Sequence, residues 1–228
     1  MIIDIAGMID HTLLKPDATR KQMEQLCMEG KKYNFASLCM NPVWVKFCRE
    51  ILLGSGIKIC TVSGFPLGAN ATAIKVEEAE TGIKDGADEI DMVMNVGAFK
   101  SGDLKLVEED IRVVRNAIGK NKILKVIIEC GLLTTGEKTR ATEIVKSCGA
   151  DFVKTNTGFG YGGATVEDVS LLRKIAGKDM GVKASGGIRD FQTIKSLIEA
   201  GANRIGTSSG VKIVEEYRDQ VSGFKKQE

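Results

Sequence analysis

Short apolar runs and amphipathic stretches alternate along the whole chain. Eight runs have the length and content of strands, at residues 9–13, 36–40, 57–62, 89–95, 124–130, 152–156, 182–185 and 204–208. After each, apolar residues recur at helical spacing, over 20–33, 43–53, 71–84, 104–118, 137–148, 166–176, 191–200 and 211–217. Start signals sharpen several of these. Asn41-Pro42 places a cap before a first-turn proline. Thr134 with Glu137, and Thr165 with Asp168, have capping-box spacing. One tripeptide recurs where helices hand over to strands: Gly86-Ala87-Asp88, Gly149-Ala150-Asp151 and Gly201-Ala202-Asn203. Each copy supplies a glycine for the left-handed turn that ends a helix. Eight such βα units in 228 residues predict one (β/α)8 barrel domain over 1–228, with a frayed tail from about 219. A doubly wound open sheet is the alternative, and no G-x-G-x-x-G follows the first strand to support it.

Strand side chains alternate between faces. In Glu89-Ile90-Asp91-Met92-Val93-Met94-Asn95 the apolar Ile90, Met92 and Met94 share one face, which sends Asp91 and Asn95 into the barrel. The same argument turns Lys154 inward from the sixth strand and Lys183 inward from the seventh. Glu129 shares a face with Ile127 and Lys125, as a partner of the site or as a paired structural acid. A lone lysine in an apolar strand is costly to desolvate, so it needs a reason to be there. Two amines held close together push one another towards the neutral, nucleophilic form. That pattern points to Schiff-base chemistry on a carbonyl, and a structural ion cluster is the competing reading.

Composition narrows the field. Lys plus Arg number 32 against 30 Asp plus Glu, which makes no electrostatic case for nucleic acid or an anionic membrane. No apolar run is long enough to span a bilayer, and no basic segment precedes an apolar one at the N-terminus, so a cytoplasmic protein is expected. The six cysteines form no C-x-x-C pair and read as reduced, packed thiols. His11 is the one histidine, so a metal-dependent mechanism is not expected.

Glycines and small hydroxyls crowd three late strand ends: Thr157-Gly158-Phe159-Gly160, Ser185-Gly186-Gly187-Ile188 and Gly206-Thr207-Ser208-Ser209-Gly210. In barrels, loops after the seventh and eighth strands often bind phosphate through backbone N–H groups. Gly64-Phe65-Pro66-Leu67-Gly68 sits at another strand end and can shape the pocket, and Tyr161-Gly162-Gly163 reads as a flexible loop or a lid.

These segments, with Asp10-His11-Thr12-Leu13-Leu14-Lys15-Pro16, Glu89-Ile90-Asp91-Met92-Val93, Asp151-Phe152-Val153-Lys154-Thr155 and Val182-Lys183-Ala184-Ser185, resemble in order the deoxyribose-phosphate aldolases over 9–210. The resemblance implies a cofactor-free class I aldolase. Such an enzyme reversibly cleaves 2-deoxy-D-ribose 5-phosphate to acetaldehyde and D-glyceraldehyde 3-phosphate. It implies Lys154 as the Schiff-base lysine, and Lys183 as the second lysine, a proton donor or acceptor that lowers the pKa of Lys154. Asp91 is implied as the aspartate that shuttles protons. It further assigns Gly158, Gly186, Gly187, Gly206, Ser208 and Ser209 to phosphate, and Asp10, Thr12 and Cys39 to the pocket. It implies a homodimer or homotetramer. Some family members carry a C-terminal tyrosine that reaches the site, whereas this chain ends Gln227-Glu228. His11 reads as a structural hydrogen-bonding residue and Trp44 as packing. A phosphosugar isomerase working through a carboxylate base, or a binding barrel without turnover, are the rival functions.

Overall fold

A computed structural model describes residues 4–224, the side chains of 222–224 excepted. Eight strands, β1 Ile9–Leu13, β2 Ser37–Met40, β3 Lys58–Ser63, β4 Glu89–Val93, β5 Ile123–Ile127, β6 Phe152–Lys154, β7 Gly181–Ser185 and β8 Arg204–Thr207, pair in parallel and in sequence order. β8 pairs back onto β1 and closes the barrel. The helices around it are α1 Arg20–Tyr33, α2 Val45–Ile51, α3 Thr72–Lys84, α4 Val96–Lys100, α5 Leu104–Ile118, α6 Thr135–Ser147, α7 Val166–Ala176, α8 Phe191–Glu199 and α9 Gly210–Phe224.

Alternate strand residues face the helices. Ile90, Met92, Leu124, Val126, Val153, Val182, Ala184 and Ile205 are all fully buried in the shell between strands and helices. Each large member contributes roughly 1.5–3 kcal/mol by leaving water. The inside of the barrel is mostly polar. It includes a small separate apolar cluster of Leu14, Cys39, Cys60 and Val62, with Phe65 against it.

The repeated tripeptide does more than turn the chain. Gly86, Gly149 and Gly201 hold φ of 113°, 78° and 112°, a region costly for other residues. The residue two places on then reaches back to a preceding strand. Asp88 accepts from the Ile59 backbone N–H at 3.0 Å, Asp151 from Leu124 at 2.7 Å and Asn203 from Val182 at 2.8 Å. An arginine closes each copy: Arg49 on the Gly86 carbonyl, Arg115 on Asp151 and Arg173 on the Gly201 carbonyl. Three copies of one device therefore seal the end of the barrel opposite the site.

Several boundaries differ from expectation, each for a local reason. β4 stops at Val93, and Asn95 does not point into the barrel. Its side chain instead accepts from the Ala98 N–H and caps α4, a short helix the pattern did not announce. Residues 128–130 and 155–156 continue the hydrogen-bond ladder but leave regular strand geometry; Glu129 adopts a left-handed φ of 55°. Asn41 precedes Pro42 in a 3-10 turn but makes no cap; its amide donates to the Leu14 carbonyl at 3.2 Å. Thr134 and Glu137 form the full capping box, whereas Thr165 caps α7 through Asp168 N–H alone. α9 is helical through Phe224. The contrast drawn at Gln227-Glu228 lies outside the described residues.

Candidate active site

β6 and β7 are neighbours, with Lys154 and Lys183 as direct register partners. Both amines donate to one oxygen: Asp91 Oδ2 accepts from Lys154 Nζ at 2.8 Å and from Lys183 Nζ at 2.7 Å. The other oxygen of Asp91 accepts from Lys125 Nζ at 2.7 Å and from the Cys60 thiol at 3.1 Å. The three inward residues foreseen from alternation therefore meet at one carboxylate.

The cluster extends further down the barrel. Asp10 accepts from Lys183 Nζ at 2.5 Å, from Arg204 at 2.7 Å and from the Ser37 hydroxyl at 2.7 Å. Glu89 lies 2.6 Å from Lys125 Nζ and 3.0 Å from Arg204. Lys125 also comes within 3.5 Å of Asp10. The described interior thus holds three carboxylates, Asp10, Glu89 and Asp91, and four basic side chains, Lys125, Lys154, Lys183 and Arg204. Lys154 is the least paired, since Asp91 is its one carboxylate.

The electrostatics follow from these contacts. Burial alone would lower the Lys183 ammonium, but Asp10 and Asp91 outweigh it and raise that lysine above its ordinary value. Lys125 is raised in the same way, by Asp91 first among its charged neighbours. Burial likewise works against the charged form of Asp91, yet Lys125, Lys154 and Lys183 hold it well below the usual carboxylate range. Asp10 is held low by Lys183, Lys125 and Arg204. Lys125, Lys183 and Arg204 each touch two or more carboxylates, whereas Lys154 touches Asp91 alone.

A cavity of about 380 Å³ opens above Lys154 at the C-terminal ends of the strands. Of the residues expected to bind substrate, Thr12, Gly158, Gly186, Gly187, Gly206 and Ser208 line it. Ser209 does not; its N–H donates to Thr207 Oγ1 at 2.9 Å. Asp10 and Cys39 are fully buried beneath the floor, and Cys39 packs in the small apolar cluster. Gly186 and Gly187 have φ of 95° and 74°, which exposes backbone where a side chain would crowd it.

Two cations at the mouth escaped the sequence reading. Lys15 and Arg189 line the cavity, and the structure gives neither side chain an acid partner among the described residues. They lie in loops, where periodicity carries no signal. Lys125 was legible, because it sits alone between Leu124 and Val126 much as Lys183 sits between Val182 and Ala184. His11 faces outward from β1, with Nε2 2.7 Å from Glu29 and its ring 4.7 Å from that of Phe35, as a packed structural residue does. Phe65 packs edge-on against Phe159 at 5.3 Å and thereby braces one wall of the cavity. Trp44 packs against the core with Phe47.

Among the described residues two sets of three potential metal ligands exist, Cys39 with Cys60 and Asp91, and Asp10 with Cys60 and Glu89. Their carboxylates are already engaged by the interior cations, so the donor set suits an ion-pair network better than a divalent ion.

Comparison with known proteins decides the family. Residues 5–216 match the model of the DeoC/LacD family aldolase. The chain belongs to that family. A deoxyribose-phosphate aldolase of Geobacillus sp. (strain WCH70) is 57% identical over 212 residues, covering 93% of this chain and 95% of the relative. Among solved structures, QR15, an aldolase, superposes with a TM-score of 0.91 at 42% identity, covering 96% of this chain and 98% of that one. A deoxyribose phosphate aldolase from Aeropyrum pernix, described as tetrameric, gives 0.87 at 35% identity, covering 94% and 91%. The closed parallel barrel of this chain is therefore the barrel of a DeoC/LacD family aldolase. No helix among the described residues is long and apolar enough to cross a membrane.

Proposed function

We propose that this chain reversibly cleaves 2-deoxy-D-ribose 5-phosphate to D-glyceraldehyde 3-phosphate and acetaldehyde through an imine on Lys154. The observation that carries the reading is the single oxygen of Asp91 shared by two lysines, of which one lies at the floor of a cavity. Family membership and the named relatives support the substrate.

The neutral Lys154 amine adds to the C1 aldehyde, and the resulting carbinolamine loses its hydroxyl as water to give a protonated imine. A base then takes the proton of the C3 hydroxyl. The C2–C3 bonding pair flows into the imine, C3 becomes the aldehyde of glyceraldehyde 3-phosphate, and an enamine stays on Lys154. Protonation of the enamine carbon and hydrolysis release acetaldehyde and restore the amine. Asp91, whose Oδ2 touches both amines, and the Lys183 ammonium are placed to pass protons to and from these intermediates. The substrate phosphate lies in this reading against the backbone N–H groups of Gly158, Gly186, Gly187 and Gly206, and against Ser208 and the cation of Arg189. Anchoring the phosphate fixes C1 over the amine, which is an entropic contribution to rate.

The same reading makes the protein a homo-oligomer, as the Aeropyrum pernix relative is. It also makes it cytoplasmic, in keeping with six cysteines that are all free. The test is a coupled assay for glyceraldehyde 3-phosphate formed from 2-deoxy-D-ribose 5-phosphate. Substrate-dependent product, with borohydride inactivation in the presence of substrate, is the expected result. Turnover that borohydride leaves untouched contradicts the imine, and no product contradicts the substrate.

A further inference from the structure

Glu129 is an acid without a counter-ion. It follows β5, is 3% exposed, and makes no ion pair among the described residues. A buried carboxylate is costly unless hydrogen bonds compensate it. All its donors are neutral and come from one short segment. Asn156 Nδ2 donates to Oε1 at 3.1 Å, and Thr157 donates to Oε2 through its N–H at 3.1 Å and its hydroxyl at 2.5 Å. That segment begins two residues beyond Lys154, and Thr157 and Gly158 line the cavity.

The far side of the segment is stitched to β7. Thr155 Oγ1 donates to the Ser185 carbonyl and accepts from the Ser185 N–H, both at 3.1 Å. Ser185 Oγ donates to the Asn156 carbonyl at 2.6 Å. The Ala164 N–H, where the loop returns, donates to the Gly186 carbonyl at 3.0 Å. The outer loop is closed down on the turn that carries Glu129, since a Cβ on Gly131 would sit 1.5 Å from the Tyr161 carbonyl oxygen. Glu129 is therefore the fixed point on the β5 side of a band that runs through 155–158 to Gly186.

We propose that Glu129 is a positioning residue for the anion-binding edge of the cavity. Its carboxylate sets the direction in which the Thr157 and Gly158 backbone leaves β6, and so the distance from the Lys154 amine to the bound phosphate. The inference rests on the aldolase reading of this site. A purely structural acid in the same place would affect stability without distinguishing phosphorylated from unphosphorylated substrates.

Glu129→Gln tests it. The side chain keeps its shape but sets an NH2 group against the donors of 156–157. Kinetics are measured with 2-deoxy-D-ribose 5-phosphate and with 2-deoxy-D-ribose, alongside borohydride trapping with acetaldehyde, which has no phosphate. The expected result is a KM for the phosphorylated sugar raised roughly 10-fold or more, with kcat, the unphosphorylated reaction and acetaldehyde trapping changed less than about 3-fold. An equal loss on both sugars, or no change in their ratio, overturns the proposal while leaving the aldolase reading intact. If Glu129→Gln does not fold, Thr157→Val removes one donor and must raise the same KM selectively. If the unaltered protein has no aldolase activity, binding of glyceraldehyde 3-phosphate against glyceraldehyde is compared by calorimetry. Selective weakening in Glu129→Gln then upholds the positioning role and rejects the reaction, and unselective binding rejects both.

Discussion

Lysine is fully buried against carboxylate in two regions of this molecule, and the two differ in their count of charges. Outside the barrel, Lys75 on α3 meets Asp110 on α5 at 2.5 Å, both almost completely buried, and Thr72 donates its hydroxyl to the same acid. One cation faces one anion, and neither side chain lines the cavity above Lys154. Inside the barrel, four basic side chains share three carboxylates, and the least paired lysine opens onto a cavity. The first region is closed and holds helices together; the second carries a surplus amine that has somewhere to react. Burial of lysine therefore does not mark a reactive site here. Imbalance beside a cavity does.

The contrast breaks first at Asp91. Asp91→Asn leaves three lysines without their shared acid, and kcat should fall on the order of 10³-fold, read in the coupled assay. The variant should also lose roughly 3–5 kcal/mol of stability, because removing one partner strands buried charge. Full activity in Asp91→Asn would show that the shared oxygen is incidental.

Lys183→Leu sharpens the same point from the other side. It removes a cation held firmly charged by Asp10 and Asp91, leaving three cations for three carboxylates. Lys154 then faces Asp91 without a second ammonium on the shared oxygen. Turnover near neutral pH should fall about 100-fold, and borohydride trapping should require higher pH. A trapping profile that stays in place contradicts the charge count.

The outer pair should respond in stability alone. Asp110→Asn should cost roughly 3–5 kcal/mol in denaturant unfolding, with kcat of the folded enzyme within about 2-fold. Lys75→Met combined with Asp110→Leu should recover most of that loss, as replacing both partners of a buried pair often does. A kcat that tracks Asp110 would mean the two regions are coupled.

The smallest effect belongs to the surface. Lys100 and the Thr134 cap hold Glu137 down from the ordinary 4.5 to about 2. A carboxylate with a lowered folded pKa stabilises above its unfolded value and loses that contribution as pH falls towards the folded one. Glu137→Gln should therefore lower Tm slightly at neutral pH, by at most about 2 °C. The gap should close between pH 4.5 and 2. A gap that persists at the acid end would assign the effect to capping geometry instead of charge.

Much of this was legible in the residues themselves. Val153-Lys154 and Val182-Lys183-Ala184 each set one charge in an apolar strand, so a period of two fixes its face. Leu124-Lys125-Val126 carries the same signal, and its meaning emerges only once Asp91 is seen to have three lysine neighbours. Asn95 misled because its alternation with Asp91 and Val93 continues past the point where it caps α4. Glu129 alternates with Lys125 and Ile127 as a strand residue would, but its left-handed backbone swings the carboxylate towards 156–157. Lys15 and Arg189 had no pattern to betray them, since loops owe their positions to the ends of strands distant in sequence. Cys39 faces inward as expected, yet it sits below the floor, a depth that periodicity does not encode.

Lys154 alone among the interior amines is expected to react with an aldehyde. Borohydride reduction in the presence of acetaldehyde, followed by digestion and mass mapping, reads this directly. One ethylated lysine is expected inside the barrel, at position 154, and none in Lys154→Ala. An ethyl group on Lys183 or Lys125 with Lys154 unmodified would contradict it.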